Sequence, residues 1–177
     1  MTSRDSGAWP TPAADTASCS APFCASVPPC AACCSISLRS SKGAAASGHF
    51  TGCEGRIEFE PGSFLERVPS GCDAYIMKHI IHDWSDADCC RILGYMRDGL
   101  AACDPERGRV FLLEMVVPDQ VRPGPEVMLD IEMLVATLGG KERTRSEFEA
   151  LFASAGLQLV SITPTHTPMC VIEARLS

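Results

Sequence analysis

Residues 74–86 read AYIMKHIIHDWSD, and this segment carries the strongest structural signal in the chain. It begins as a short apolar run of the kind that forms a buried parallel strand. It ends in a dense group of Lys, His, Asp and Trp side chains. A helical turn after Met77 would place Lys78 and His82 on the same side. Because open α/β sheets bind ligands where their strands end, the segment predicts a strand, an active-site turn and then a helix.

The residues that follow extend this pattern to a second strand. Ser85 opens a sequence that resembles a capping box, and apolar residues at helical spacing then predict a helix over 87–102. A second apolar run covers 109–114 and ends in Glu114. If the two strands are parallel neighbours, Glu114 lies at the same edge of the sheet as His82.

The other elements indicate an α/β fold with a mostly parallel sheet and an antiparallel edge. Alternating residues predict a strand over 56–60 that stops at Pro61 and Gly62. Apolar spacing predicts helices over 126–138 and 144–155, and Thr144 begins a second capping-box signature for the latter. The last two strands, 157–163 and 169–176, are expected to form an antiparallel hairpin.

Composition and charge limit the class of protein. The chain has 177 residues, of which 46% are hydrophobic and 21% charged, as in a globular protein with one domain. The net charge is −7, which argues against nucleic acid as a partner because phosphate binding requires a basic surface. No apolar run approaches the roughly 20 residues that cross a bilayer, and no signal-peptide pattern is present. We therefore expect a cytoplasmic protein with no membrane partner.

The first 52 residues differ in character from the rest. They are rich in Ala, Ser, Pro and Cys and show no sustained period, which predicts a disordered leader over 1–52 before a folded part over 53–177. The eleven cysteines are an odd number without a secretory signal, so a disulfide scaffold is disfavoured. Zinc binding by Cys24, Cys30, Cys33 and Cys34 is conceivable, but adjacent cysteines chelate poorly. We predict no metal site.

Several short motifs occur in an order that resembles a known family. They are Gly-Ser-Phe at 62–64, Lys-His-Ile-Ile-His-Asp-Trp-Ser-Asp at 78–86, Leu-Glu at 113–114, Leu-Asp at 129–130 and Gly-Gly-Lys-Glu-Arg-Thr at 139–144. Together they resemble the C-terminal half of the S-adenosylmethionine-dependent O-methyltransferases of the plant caffeate and acetylserotonin type, which includes bacterial members. The resemblance covers residues 55–175.

The resemblance implies an incomplete Rossmann-like class I methyltransferase sheet. The family order is 3-2-1-4-5-7-6, and this chain would supply strands 3 to 7, with the strand at 56–60 as the third. Family members homodimerise through an N-terminal helical domain and bind S-adenosyl-L-methionine at a glycine-rich turn. Neither feature is recognisable in these residues, so the donor site is expected to be incomplete. We favour a truncated or misread reading frame, with weak or no activity, over a genuine short paralogue.

The resemblance also assigns roles to individual residues. His82 resembles the general base, and Glu114 and Glu142 resemble the carboxylates that orient its imidazole. The positions that resemble contacts to the methyl donor or the acceptor are Ser63, Phe64 and Lys78 for the donor, and Asp83 and Met133 for the acceptor. His79 is expected to point away from the site.

The implied reaction suits these side chains. A phenol has a pKa near 10 and a histidine near 6.5, so a neutral imidazole in hydrogen-bond reach can accept the proton as the methyl group arrives. No metal is required. The predicted substrate is a small aromatic molecule with a hydroxyl group. Two alternatives remain open: a non-catalytic partner that regulates an intact homologue, and an unrelated α/β binding module.

Overall fold

The predicted strands and helices occur in the predicted order, and three further strands lie at 32–37, 116–117 and 143–144. The structure is a computed structural model that describes residues 32–37, 57–103, 105–120 and 122–177. Its strands are β1 (Ala32–Ser37), β2 (Ile57–Gly62), β3 (Ala74–Lys78), β4 (Arg109–Glu114), β5 (Val116–Val117), β6 (Arg143–Thr144), β7 (Leu157–Pro164) and β8 (Cys170–Leu176). Its α-helices are α1 (Asp86–Cys103), α2 (Pro125–Ala136) and α3 (Arg145–Ser154), and a 3-10 turn covers Ile81–Asp83.

The main sheet has four strands in the order β3-β4-β8-β7. β3 and β4 are parallel, with Lys78 opposite Leu113, whereas β8 is antiparallel to both β4 and β7. The β7–β8 pairing has an irregularity between Leu159 and Ser161. This order equals the 4-5-7-6 part of the expected sheet. The prediction of an α/β fold with an antiparallel C-terminal hairpin is therefore confirmed.

The hydrophobic core lies where α1 and α3 pack against this sheet. β4 alternates between partly exposed and buried residues, so that Val110, Leu112 and Glu114 share the buried face. The period of two thus carries a carboxylate into the core face of the sheet. The fully buried apolar side chains of this core include Ile92, Leu93, Leu100, Phe152, Leu157 and Ile172.

Two helices begin as the sequence predicts. The Ser85 hydroxyl accepts a hydrogen bond from the Asp88 amide at 3.2 Å and donates to the Asp88 carboxylate at 2.7 Å, ahead of the first turn of α1. At α3, Thr144 and Glu147 form a complete capping box. These bonds satisfy amide groups that have no partner within the helix.

The prediction of a leader without regular structure is not met at residues 32–37. They form β1, which pairs in parallel with β2 in a separate two-stranded sheet. β2 also continues through Pro61 and Gly62, where a stop was predicted, because Pro61 lies opposite Ile36. Backbone pairing between distant segments thus supplies order that local composition does not indicate. The remainder of 1–52, with Cys24 and Cys30, lies outside the described residues.

The apolar face of α2 is exposed. Met128, Ile131 and Val135 lie on the surface, whereas Met133 is buried. With Met115, the exposed side chains line an open groove of about 740 Å³. Among the described residues, none of the helices combines the length and the apolar character that crossing a membrane requires.

Leu112 and Leu134 provide a matched test of this core. Leu112 is 0% exposed and Leu134 is 78% exposed. We expect Leu112→Ala to lower the free energy of unfolding by about 3 kcal/mol, because it removes buried methyl groups and leaves a cavity. Leu134→Ala should change it by less than about 0.5 kcal/mol. Chemical denaturation followed by circular dichroism measures both values, and equal effects would contradict this placement of the core.

Candidate active site

The site is built on the turn that follows β3. Strand pairing continues to Lys78, and the His79 amide still donates a hydrogen bond to the Leu113 carbonyl oxygen at 3.2 Å. His79 has a φ of 52°, the only positive value for a non-glycine among the described residues. The 3-10 turn that carries His82 starts at Ile81. The expected helical turn after Met77, with Lys78 and His82 on one side, is therefore wrong, because β4 holds this segment extended.

Glu114 fixes the start of this turn. Its side chain is fully buried at the end of β4. Its Oε1 accepts hydrogen bonds from the Ile80 and Ile81 amides at 3.0 and 2.8 Å. Its Oε2 lies 3.4 Å from Nδ1 of the His82 ring. One carboxylate thus holds the backbone of the turn and faces its imidazole.

Glu142 approaches the same imidazole from a distant part of the chain. Its Oε1 lies 2.8 Å from His82 Nδ1, within hydrogen-bonding distance. The Glu142 amide donates to the Asp130 carboxylate of α2 at 2.9 Å, which fixes the backbone at this point. The short pairing of β5 with β6 places the adjacent residue, Arg143, opposite Val116.

The loop before Glu142 must pass close to the turn. At Gly140, a Cβ atom would overlap with the His82 carbonyl oxygen and with the Thr137 hydroxyl. Gly139 adopts a φ of 95°, which side chains other than hydrogen rarely allow. Both glycines therefore let the loop deliver Glu142 to the imidazole.

The two carboxylates select the tautomer of His82. Glu142 Oε1 lies within hydrogen-bonding distance of Nδ1 and Glu114 Oε2 faces the same nitrogen at 3.4 Å, so a proton on Nδ1 is bonded to Glu142 and lies near the charge of Glu114. The lone pair of the neutral ring is then on Nε2. The only charged group described near Nε2 is Asp83, whose Oδ1 lies 3.4 Å away. In the neutral ring, Nε2 is therefore the nitrogen without a proton.

Burial and mutual attraction shift the pKa values of this cluster. Burial by itself lowers the pKa of His82, but the hydrogen bond to Glu142 and the charges of Glu114, Glu142 and Asp83 raise it above 6.5. Burial raises the pKa of Glu114 to about 7, against the opposing effects of His82 and the two amides. Burial also raises the pKa of Asp83. Protons are therefore retained in this cluster near neutral pH.

His79 belongs to the site, contrary to expectation. Its ring centroid lies 5.0 Å from that of His82. Burial, followed by the charges of His82 and Lys78, lowers the pKa of His79. Nitrogen and oxygen donors of His79, His82 and Glu114 lie within 4.8 Å of one another. Because Glu114 is bonded to the turn amides and His82 to Glu142, we interpret the group as a proton-sharing cluster rather than a metal centre.

Four further residues were predicted to contact the donor or the acceptor. Phe64 packs edge-on against Trp84, with 5.9 Å between ring centroids. The Ser63 hydroxyl accepts a hydrogen bond from the Leu65 amide. Lys78 ends β3, and Met133 is buried on α2. In the described residues, no hydrogen bond or ion pair joins these four side chains to His82. Direct contacts therefore join His82 to Glu114, Glu142 and Asp83.

Comparison with known proteins identifies the family. A sequence model of the O-methyltransferase domain matches residues 21–158. The chain belongs to this family. The match begins inside the segment 1–52 that was predicted to be a leader, and it includes every residue assigned to the site.

Curated and solved proteins agree with this assignment. The chain is 36% identical over 120 residues to 8-amino-8-demethylriboflavin N,N-dimethyltransferase of Streptomyces davaonensis. This alignment covers 68% of the chain and 33% of the relative. The crystal structure of LaPhzM superimposes with a TM-score of 0.80 at 30% identity, over 89% of this chain and 46% of that one. Human N-acetylserotonin methyltransferase in complex with SAM gives a TM-score of 0.68 at 26% identity, over 81% and 40%. The chain thus spans about a third of the length of its curated relatives.

The shifted pKa of Glu114 predicts how stability depends on pH. Its pKa rises from 4.5 in the unfolded chain to about 7 in the folded one, so the folded state binds more protons between these values. The free energy of unfolding should therefore fall as the pH rises from about 4.5 through 7, by on the order of 3 kcal/mol. The raised pKa of His82 acts in the same direction above pH 6.5.

Glu114→Gln cannot ionise and should remove most of this slope in urea denaturation between pH 5 and 8. Glu149→Gln is the matched control, since Glu149 lies on the surface in an ion pair with Arg145. It should keep the wild-type slope. A full slope in the Glu114→Gln variant would show that this carboxyl is not the group responsible.

Proposed function

We propose that this chain supplies the acceptor side of an S-adenosylmethionine-dependent methyltransferase, with His82 as the general base for a hydroxyl of a small aromatic molecule. The observation that carries the proposal is the orientation of the His82 ring. Glu142 and Glu114 lie 2.8 and 3.4 Å from Nδ1, which leaves Nε2 to accept a proton. The human relative in complex with SAM supports the donor, and the match to the O-methyltransferase family supports oxygen as the accepting atom.

The residues of the cluster would perform the proton transfer. S-adenosylmethionine, when bound, supplies a methyl group that is already activated by a sulfonium. The chain must therefore orient the acceptor oxygen and remove its proton. With the donor bound, the hydroxyl proton would pass to His82 Nε2 as the oxygen forms its bond to the methyl carbon and the bond between that carbon and the sulfonium sulfur breaks. The imidazolium that results is stabilised by the two carboxylates at Nδ1.

The electrostatics of the site suit a positively charged donor. Three carboxyl groups, those of Glu114, Glu142 and Asp83, surround one imidazole. One oxygen of Glu114 and one of Glu142 are buried and accept no hydrogen bond from the described residues. Such an excess of acidic groups favours a nearby cation.

The remaining assignments belong to the same proposal. Asp83 stands on the Nε2 side of the ring, where an acceptor hydroxyl would have to lie. Lys78 ends the strand that leads into the site, and Phe64 packs against Trp84 at the end of the turn. We assign Ser63, Phe64 and Lys78 to the donor, and Asp83 and Met133 to the acceptor. Because no glycine-rich donor turn is recognisable in the sequence, we expect weak donor binding and weak activity from this chain alone.

A non-catalytic partner of an intact homologue is the second candidate function. The main sheet leaves one side of β3 unpaired among the described residues, and Ile76 of that strand is 47% exposed. Exposed apolar edges and faces favour association with another chain. Co-purification with a full-length homologue, together with no effect of His82→Ala on the activity of the complex, would favour this function.

The first test of the proposal is substitution of the base. His82→Asn should reduce methyl transfer to a panel of phenols by about 100-fold or more, because it removes the proton acceptor. His166→Asn is the control, since His166 is exposed in the loop between β7 and β8. Single-turnover assays with labelled S-adenosylmethionine and excess protein measure both rates. Equal rates in wild type and His82→Asn would reject His82 as the base.

Donor binding is a separate test. Isothermal titration calorimetry of the chain with S-adenosylmethionine should show binding weaker than micromolar, because the expected glycine-rich turn is not recognisable. A micromolar dissociation constant would contradict the expectation of an incomplete donor site.

A further inference from the structure

Arg143 is buried to an extent that is unusual for a charged residue. Only 1% of it is exposed, and it is among the largest fully buried side chains of the described residues. Arginine is rarely buried in this way unless its donors are all satisfied. Its position next to Glu142 in the chain, beside the site, suggests that this burial serves the site.

The guanidinium of Arg143 binds both ends of the turn that carries His82. Nη1 donates to the Ile81 carbonyl oxygen at 2.9 Å, and Nη2 donates to the Trp84 carbonyl oxygen at 3.0 Å. These carbonyls flank His82 and Asp83 on either side. The planar group therefore spans the turn and fixes the distance between its two ends.

The same group ties the turn to the start of α1. Nε and Nη2 donate to Oδ1 of Asp86 at 3.0 and 2.7 Å. Asp86 is the first residue of α1, and Arg143 holds the pKa of its carboxyl below the usual range against the effect of burial. A further hydrogen bond from Nη1 reaches the Lys141 carbonyl oxygen at 3.3 Å. Turn, helix and loop thus meet at one guanidinium.

Two consecutive residues, Glu142 and Arg143, therefore hold the side chain of His82 and the backbone around it. Glu142 contacts the imidazole, and Arg143 contacts the backbone on either side of it. A movement of the turn relative to this pair would lengthen the 2.8 Å contact between Nδ1 and Glu142. The pairing of β6 with β5 places Arg143 opposite Val116, and Glu142 precedes it directly in the chain.

We propose that Arg143 is a positioning residue, which holds the His82 turn against Glu142 so that Nδ1 stays bonded and Nε2 stays free. This proposal rests on the proposed function only in taking Nε2 as the atom that accepts the hydroxyl proton. The position of the ring is a property of the fold that can be measured without any reaction. Lysine cannot replace this arginine, because three donors on one nitrogen cannot span two carbonyls and a carboxylate.

Several ionisable groups face His82 and would report on its displacement. They are Glu142 from the loop before β6, Glu114 from β4, Asp83 from the turn itself and His79 from the segment after β3. Of these, Glu142 makes the shortest contact. Loss of that contact should therefore move the pKa of His82 back towards 6.5.

The test is nuclear magnetic resonance of the histidine side chains during a pH titration of the full chain. The His82 signals are assigned by their disappearance in His82→Asn. In Arg143→Lys, we expect the pKa of His82 to fall by about half a unit or more, and its Nδ1-protonated tautomer to lose population. Arg145→Lys is the matched control, since Arg145 is exposed and pairs with Glu149. It should leave both quantities unchanged.

A second variant keeps the test decisive if Arg143→Lys does not fold. Asp86→Asn removes the carboxylate that anchors the guanidinium and lies largely on the surface, with its side chain 59% exposed. It should lower the pKa of His82 in the same direction by a smaller amount. A folded Arg143→Lys variant with the wild-type pKa and tautomer would overturn the proposal, as would an unchanged pKa in Asp86→Asn when only that variant folds.

These outcomes are independent of the methyltransferase assay. If His82→Asn transfers methyl groups at the wild-type rate, the base assignment fails while the measured position of the ring still decides the part played by Arg143. If the ring does not respond to Arg143→Lys, the positioning proposal fails while His82 can still be the base.

Discussion

The bracket of two buried carboxylates on Nδ1 of His82 is the constraint on which the rest of the site depends. Glu114 reaches the turn from β4, 33 residues later, and Glu142 from a loop 60 residues later. Buried acidic groups are costly without partners, so each must find its amide or imidazole. The turn supplies both kinds of partner within three residues. This arrangement therefore gives one oxygen of each carboxylate a hydrogen-bond partner in the turn.

The surroundings of this bracket are arranged to keep it intact. The amide of Glu142 is held by Asp130, and the close approach of the loop depends on Gly140. Arg143 holds the backbone of the turn through hydrogen bonds to the Ile81 and Trp84 carbonyl oxygens. By contrast, within the described part of the chain the apolar face of α2 and the outer edge of β3 are uncovered. The acid–base centre is thus buried and held from several directions, while the surfaces suited to another chain lie elsewhere on the same fold.

Much of the fold could be predicted from local patterns, and the failures have identifiable physical causes. The strand 109–114 and the side-chain caps at Ser85 and Thr144 appear as predicted, because an apolar run and a helix cap depend on a few neighbouring residues. The predicted start of the His82 turn, after Met77, was wrong because pairing with β4 keeps the chain extended through Lys78. β1 was missed because its pairing with β2 joins segments separated in sequence. The position of His79 depends on a positive φ that no pattern announces.

By itself, the sequence determined which side chains could meet at the site. The apolar run 109–114 predicted a strand that ends in Glu114, at the sheet edge expected for His82. Only the tertiary structure decided how they meet: which nitrogen of His82 the carboxylates contact, that His79 joins the cluster, and that Arg143 closes the turn. The reason is the sequence separation of the residues that interact. Alternation and capping are fixed by neighbouring residues, whereas ring orientation and the burial of a guanidinium follow from contacts across more than 50 residues of chain.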